Sequence, residues 1–98
     1  MTATLHIEHT ITDYKTWKGA FDRFADARAR GGVSAQRVRL QEDDASQVVI
    51  DLDFDSTAQA RAFSTFLHEK VWGTANAPAL VGTPTTRILV DPSVSPAG

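Results

Sequence analysis

Residues 4–32 read TLHIEHTITDYKTWKGAFDRFADARARGG and join a strand pattern to a helix pattern. In the first part, polar and apolar side chains alternate, and the more apolar face consists of Leu5, Ile7, His9 and Ile11. This period of two is typical of a half-buried β-strand. After Asp13, which is suited to an N-cap, one residue of a stripe follows every three or four positions before Gly31–Gly32: Tyr14, Trp17, Phe21, Phe24 and Arg28. This spacing predicts a helix with an aromatic stripe facing inwards and a glycine stop.

The middle of the chain carries the pattern of a β-hairpin. Residues 33–41 and 46–54 both alternate between polar and apolar side chains. The connection between them, Glu42–Ala45, is short and polar, as turns are. Two alternating segments around such a connection predict an antiparallel pair of strands.

The last third of the chain supplies one more helix and one more strand. Residues 56–59 read STAQ, the S-x-x-Q form of a capping box, which predicts the start of a second helix. Gly73 is the expected end of that helix, and Thr85–Val90 has the composition of a final strand. The tail from Pro92 to Gly98 is expected to be flexible.

The predicted order is β-α-β-β-α-β, which favours a ferredoxin-like α+β fold with both helices on one face of a four-stranded antiparallel sheet. With 98 residues, the chain has the length of one domain, which we place at residues 1–91, followed by a flexible tail at 92–98.

Composition narrows the classes of function. The formal net charge of -2 offers no broad attraction for nucleic acid or an anionic membrane. The chain has no cysteine, which excludes disulfides, thiolate metal sites and cysteine nucleophiles. It also has neither a leader-like N-terminus nor a long apolar segment. We therefore expect a cytoplasmic protein that binds neither nucleic acid nor membrane.

The sheet face opposite the helices is predicted to be polar. It would carry His6, Glu8, Thr10, Arg37, Arg39, Val49, Asp51, Asp53, Arg87 and Leu89. A solvated outer face explains such a mixture of charges most simply. A polar layer buried between two sheets would require the same residues, so both interpretations stay open.

Residues 11–21, ITDYKTWKGAF, together with the order of elements, resemble the dimeric α+β barrel superfamily and its antibiotic-biosynthesis-monooxygenase branch. The resemblance implies a homodimer whose sheets meet face to face, with a ligand held between a sheet and its helices or the partner. The asparagine-tryptophan-histidine set of haem-degrading members is not found, because the single asparagine is Asn76, in a late loop. No catalytic residue is carried over from the family.

Three residues are the catalytic candidates. His6 and Glu8 lie two apart on the polar face, where the carboxylate could orient the imidazole as a general base. Arg87, on the last strand, has the least obvious partner. A structural hydrogen-bond network at an interface is the simpler explanation for His6. A metal site is not expected, because His9 points to the other side of the strand from His6 and Glu8.

Five further residues are candidates for ligand binding. Arg37 and Arg39 would pair with aspartates on the neighbouring strand, or hold a carboxylate or enolate oxygen. Trp17 would line an aromatic pocket if a gap exists beside it, although its spacing is that of a core residue. His68 and Trp72 lie four apart on a stripe expected to look away from the sheet, where packing or dimer contact is the simpler role.

These observations favour a small-molecule-binding barrel, with no cofactor, that oxygenates an aromatic or polyketide-like substrate. A non-catalytic binding or structural module of the same fold is the alternative. An isomerase or cyclase is also compatible, as is a haem-binding member with His68 or His6 as ligand, which rests on the resemblance alone.

Overall fold

The computed structural model describes residues 2–72 and 79–92. The elements in chain order are β1 (Ala3–Ile11), α1 (Tyr14–Arg23), α2 (Ala25–Gly31), β2 (Ala35–Gln41), β3 (Asp44–Phe54), α3 (Thr57–Phe66), a π-helical segment (Leu67–Trp72) and β4 (Leu80–Val90). The helix end predicted at Gly73 and the predicted tail beyond Pro92 lie outside the described residues.

The four strands form one antiparallel sheet in the order β2-β3-β1-β4. The two hairpin strands lie side by side, and β1 occupies the middle between β3 and β4. The helices pack on one face of this sheet, which is the predicted ferredoxin-like α+β arrangement.

The register confirms which side chains share a face. Leu5 on β1 lies opposite Leu52 on β3 and Ile88 on β4, all on the helix side. His6 lies opposite Asp51 and Arg87, on the open side. The strands therefore present an apolar face to the helices and a polar face away from them, because strand side chains alternate.

Two apolar residues on the helix side of the sheet are largely exposed. Leu40 on β2 retains 38% of its accessible surface and Val90 on β4 retains 46%. Both face the helix side, but they lie on edge strands. The buried core follows the two central strands instead, around residues such as Leu5, Leu52 and Phe54.

The first helix is two helices rather than one. At Phe24 the backbone leaves helical geometry, with φ -98° and ψ 16°, and α2 starts one residue later. The Arg28 side chain donates from Nη1 to the carbonyl oxygen of Phe21, 2.6 Å away. A side chain that satisfies a carbonyl of the preceding turn is a recognised cause of helix kinks.

The predicted starts of both helices and the predicted stop at Gly31–Gly32 are confirmed. The Asp13 carboxylate accepts from the backbone N–H of Thr16, and the Ser56 hydroxyl accepts from that of Gln59. Gly32 ends α2 in the left-handed conformation, with φ 94°. These side chains and this glycine satisfy the groups that a helix end leaves unpaired.

Two strands are longer than predicted. The hairpin turn contains only Glu42 and Asp43, because β3 already begins at Asp44. The final strand begins at Leu80 rather than Thr85, and it contains an irregularity where Gly82 adopts φ 74°. The sequence did not predict this first part of β4, because Gly82 reads as a loop residue. A glycine with positive φ is typical of loops and of β-bulges alike.

Within the described part of the chain, none of the helices has the length and apolar character required to cross a membrane.

Candidate functional site

A cavity lies between the helix layer and the sheet. Its volume is about 70 Å³, and about 590 Å³ when the solvent-filled mouth is included. Its walls come from β1, α1, α2, β3, α3, the π-helical segment and the start of β4; they include Ile7, His9, Trp17, Phe21, Arg28 and Trp72. The lining is almost wholly apolar, as ligand pockets usually are.

Both tryptophans of the chain line this cavity. Trp17 stacks on Phe21, with ring centroids 4.9 Å apart and planes 25° apart. Trp72 closes another wall from the π-helical segment. The gap beside Trp17 that a pocket requires is therefore present, and Trp17 combines core packing with a position on the cavity wall.

His9 is the first of two buried polar residues on this largely apolar wall. It retains 6% of its accessible surface, and its ring lies edge-on to Trp17 and Trp72, with centroid distances of 5.7 and 6.3 Å. Within the described residues, neither Nδ1 nor Nε2 has a hydrogen-bond partner. Burial lowers the pKa of His9 to about 4, so the imidazole is neutral at neutral pH.

The sheet is irregular beside His9. On β1 the pairing with β4 passes from Glu8–Thr85 to Thr10–Val81, so three residues of β4 bulge opposite His9. Gly82 with its positive φ and Pro84 without an N–H suit such a bulge. Bulges are frequent next to active sites, where they redirect side chains.

Arg28 is the second buried polar residue on the cavity wall. Its Nε donates to Gln36 Oε1 at 2.9 Å, its Nη1 donates to the Phe21 carbonyl, and its guanidinium lies 3.7 Å from the centroid of the Phe21 ring. Burial lowers the pKa of Arg28 below its ordinary value, and the group remains a cation. These contacts hold the guanidinium in a fixed place at the edge of the cavity.

The prediction that Trp72 looks away from the sheet is wrong. Trp72 is half-buried, packs against the core and faces the cavity, whereas His68 is exposed and contacts the Ser64 carbonyl through Nδ1 at 2.8 Å. The cause is the π-helical segment, whose wider turn rotates Trp72 relative to an α-helical continuation. The two rings still meet edge-on, 4.8 Å apart.

The open face of the sheet holds a separate polar network. His6 Nδ1 lies 2.6 Å from Asp51 Oδ1, and His6 Nε2 lies 2.9 Å from Glu8 Oε2. Arg39 donates to the other oxygen of Asp51 at 2.9 Å. The hydrogen bonds to Asp51 and then to Glu8 raise the pKa of His6 above its ordinary value of 6.5.

The remaining arginine candidates lie on the same face. In the register, Arg37 is opposite Asp51 and Arg87 is opposite His6. Within residues 2–72 and 79–92, no salt bridge joins either arginine to a carboxylate. The structure thus brings His6 and Glu8 together, sets Arg87 beside them on the neighbouring strand, and places Trp17 and Trp72 in a different site behind the sheet.

Sequence reasoning did not select His9 or Arg28 as site residues. For His9 a signal exists, because it is a polar residue between Ile7 and Ile11 on the apolar face of β1. For Arg28 the signal is weaker: it continues the aromatic stripe of the first helix at the expected spacing. A polar side chain at a core position of a regular pattern points to a partner or a ligand.

By sequence, the chain matches no protein-family model and no curated protein. By structure, it is similar to a candidate antibiotic biosynthesis monooxygenase from Nitrosomonas europaea, with a TM-score of 0.70 and 12% identity over 96% of this chain and 93% of that one. SnoaB, a cofactor-independent oxygenase from Streptomyces nogalater, gives a TM-score of 0.68 and 18% identity, over 97% of both chains.

A dimeric ferredoxin-like protein from an uncultured marine organism is also similar, with a TM-score of 0.58 and 10% identity over 92% of this chain and 96% of that one. At these identities the likeness establishes the fold. The resemblance suggested by residues 11–21 is thereby confirmed at the level of architecture, over almost the full chain.

Proposed function

We propose that this chain, which shares its ferredoxin-like fold with antibiotic-biosynthesis-monooxygenase-like proteins, binds an aromatic small molecule in the cavity between its sheet and helices. The cavity walled by Trp17, Phe21 and Trp72 carries this proposal. Flat aromatic walls favour a flat ring system, because stacked and edge-to-face contacts add to the gain from burying apolar surface.

The reaction that fits this site best is a cofactor-independent oxygenation of a phenolic or polyketide-like ring. SnoaB, of the same fold, is a cofactor-independent oxygenase. In such chemistry the electron-rich substrate itself reduces O₂, and the protein contributes binding, exclusion of water and control of a proton. The largely apolar cavity supports the first two of these contributions.

The proposed assembly is a homodimer in which a second copy covers the polar face of the sheet. A protein of the same fold is dimeric. On that face, His6, Glu8 and Arg87 stay candidates for catalysis, and Arg37 and Arg39 stay candidates for ligand binding. These residues lie on the opposite side of the sheet from the cavity, which favours a role at the dimer interface.

A non-catalytic module of the same fold is the second candidate function. The observation that favours it is the closed network of His6, in which both ring nitrogens and the Asp51 carboxylate already have partners. Such a network stabilises a structure without a ligand. In that case the polar face would seal the dimer and the cavity would be a packing defect.

Ligand binding can be tested by titrating the protein with fused-ring phenols and following tryptophan fluorescence, since both tryptophans line the cavity. Ala20, 7% exposed, lies on the cavity wall, whereas a Cβ added at the neighbouring Gly19 would meet no atom within 4 Å. We expect Ala20→Leu to weaken binding at least tenfold, and Gly19→Leu to leave it unchanged.

Ala20→Leu must remain folded for this comparison, and circular dichroism checks that it does, since overpacking costs about 1–3 kcal/mol. Saturable binding in the wild type, with O₂ consumption for at least one phenol, supports the oxygenase. Binding without O₂ consumption supports the non-catalytic module. If no phenol changes the fluorescence, the cavity is not a binding site.

A further inference from the structure

The two ring nitrogens of His9 are the strongest unexplained feature of the cavity. Buried polar groups in proteins nearly always have a hydrogen-bond partner, because an unpaired one costs about 1–3 kcal/mol. Within the described residues, His9 has none for either nitrogen, although the residue is 94% buried, being 6% exposed. An aliphatic side chain at this position would fill the same wall at no such cost.

The neighbours of His9 hold its ring in place, but their contacts with it are not hydrogen bonds. Trp17 and Trp72 contact the imidazole edge-on, and Ile7 lies beside it on the same wall of the cavity. The bulge of β4 lies opposite His9 in the sheet. The imidazole is therefore positioned by its neighbours, and no residue among 2–72 and 79–92 forms a hydrogen bond with either ring nitrogen.

A neutral imidazole offers one N–H donor and one nitrogen acceptor. The other polar group of the wall, Arg28, is already engaged by Gln36 and by the Phe21 carbonyl. An anionic ligand would lose its hydration in this apolar cavity, which is costly, and the guanidinium of Arg28 at the cavity edge already donates to two other groups. A ligand with an uncharged hydroxyl would not bear that cost.

Resting on the proposed function, we propose that His9 recognises the ligand of this cavity by binding a hydroxyl group on an uncharged aromatic ring. A phenol or enol donates its O–H to the acceptor nitrogen of His9, while its ring packs between the tryptophans. His9 then selects hydroxylated rings over both plain hydrocarbons and aromatic carboxylates.

The test compares three probes of one ring size by isothermal titration calorimetry: 2-naphthol, naphthalene and 2-naphthoate. We expect the wild type to bind 2-naphthol about tenfold more tightly than naphthalene, the effect of one hydrogen bond to a buried group. 2-Naphthoate should bind more weakly than 2-naphthol. In His9→Leu the preference for 2-naphthol over naphthalene should fall to near unity, and in His9→Gln part of it should return.

His68→Leu is the matched control, because His68 also lies edge-on to Trp72 but is exposed. It should keep the wild-type preference. Equal binding of 2-naphthol and naphthalene by the wild type overturns this inference and leaves the proposed function standing. So does tightest binding of 2-naphthoate, which would assign recognition to Arg28. If the wild type binds none of the probes, both proposals fail.

Discussion

His6 and His9 lie three residues apart on β1, yet they face opposite sides of the sheet and differ in their chemistry. His6 is clamped between two carboxylates, which raise its pKa. His9 is enclosed by aromatic rings, and burial lowers its pKa to about 4. The alternation of strand side chains is sufficient to give two neighbouring histidines opposite environments.

The low pKa of His9 predicts a loss of stability in mild acid. Between pH 6.5 and about 4 the unfolded chain protonates this histidine and the folded chain does not, so the free energy of unfolding falls as the pH falls. Integrated over that range, the difference amounts to about 3 kcal/mol. The difference between the wild type and His9→Leu in urea unfolding, measured at pH 7 and at pH 4.5, separates this contribution from that of His6, whose raised pKa acts in the opposite direction.

His9→Leu is the variant that isolates this contribution. It should unfold at a similar or higher urea concentration than the wild type at pH 7, because the substitution removes a buried imidazole that has no hydrogen-bond partner in the described part of the chain. The difference in free energy of unfolding between His9→Leu and the wild type should be larger at pH 4.5 than at pH 7. An equal loss of stability on acidification in both proteins would show that His9 is not a buried neutral group.

At the scale of elements, the end of α2 depends on Gly32. Its φ of 94° is a backbone angle that residues with a side chain rarely adopt. A Cβ there would lie 2.7 Å from the side-chain nitrogen Nε2 of Gln59 on α3. We expect Gly32→Ala to lower the free energy of unfolding by about 1–2 kcal/mol. Thermal or urea unfolding measures the change.

Gly19→Ala is the matched substitution for Gly32→Ala. Gly19 lies inside α1 and has open space where a Cβ would be. Alanine is the better helix former by about 1 kcal/mol, so this variant should be more stable than the wild type. Similar effects of the same sign at both positions would contradict the assigned conformations.

At the scale of the whole molecule, the sheet has one covered face and one open face. Leu89 and Val90 are neighbours with nearly equal exposure, 47% and 46%, but Leu89 faces the open side and Val90 faces the helix side. If a second copy covers the open face, Leu89→Lys should weaken the dimer at least tenfold and Val90→Lys should leave it unchanged. Native mass spectrometry across a dilution series measures both.

A wild-type protein that stays monomeric at all concentrations would remove the proposed dimer and leave the polar network of His6 in solvent. Equal effects of the two lysines would place the interface elsewhere. A dimer that retains extra mass after purification would add support for an occupied cavity.

The amino-acid sequence was sufficient to predict the order of the elements, the two faces of each strand, the caps at Asp13 and Ser56, and the end of α2 at Gly32. These features are predictable because they arise from interactions between residues close in sequence. The candidate face of His6, Glu8 and Arg87 was predicted for the same reason, since the period of two assigns every strand residue to a side.

Features that require distant segments to meet became visible only in the folded chain. The kink at Phe24 depends on the reach of Arg28, and the orientation of Trp72 depends on a π-helical turn. The early start of β4 depends on its pairing with β1. The cavity and the burial of His9 among aromatic rings exist only where these elements meet, because enclosure by several elements cannot be read from the pattern of any one of them.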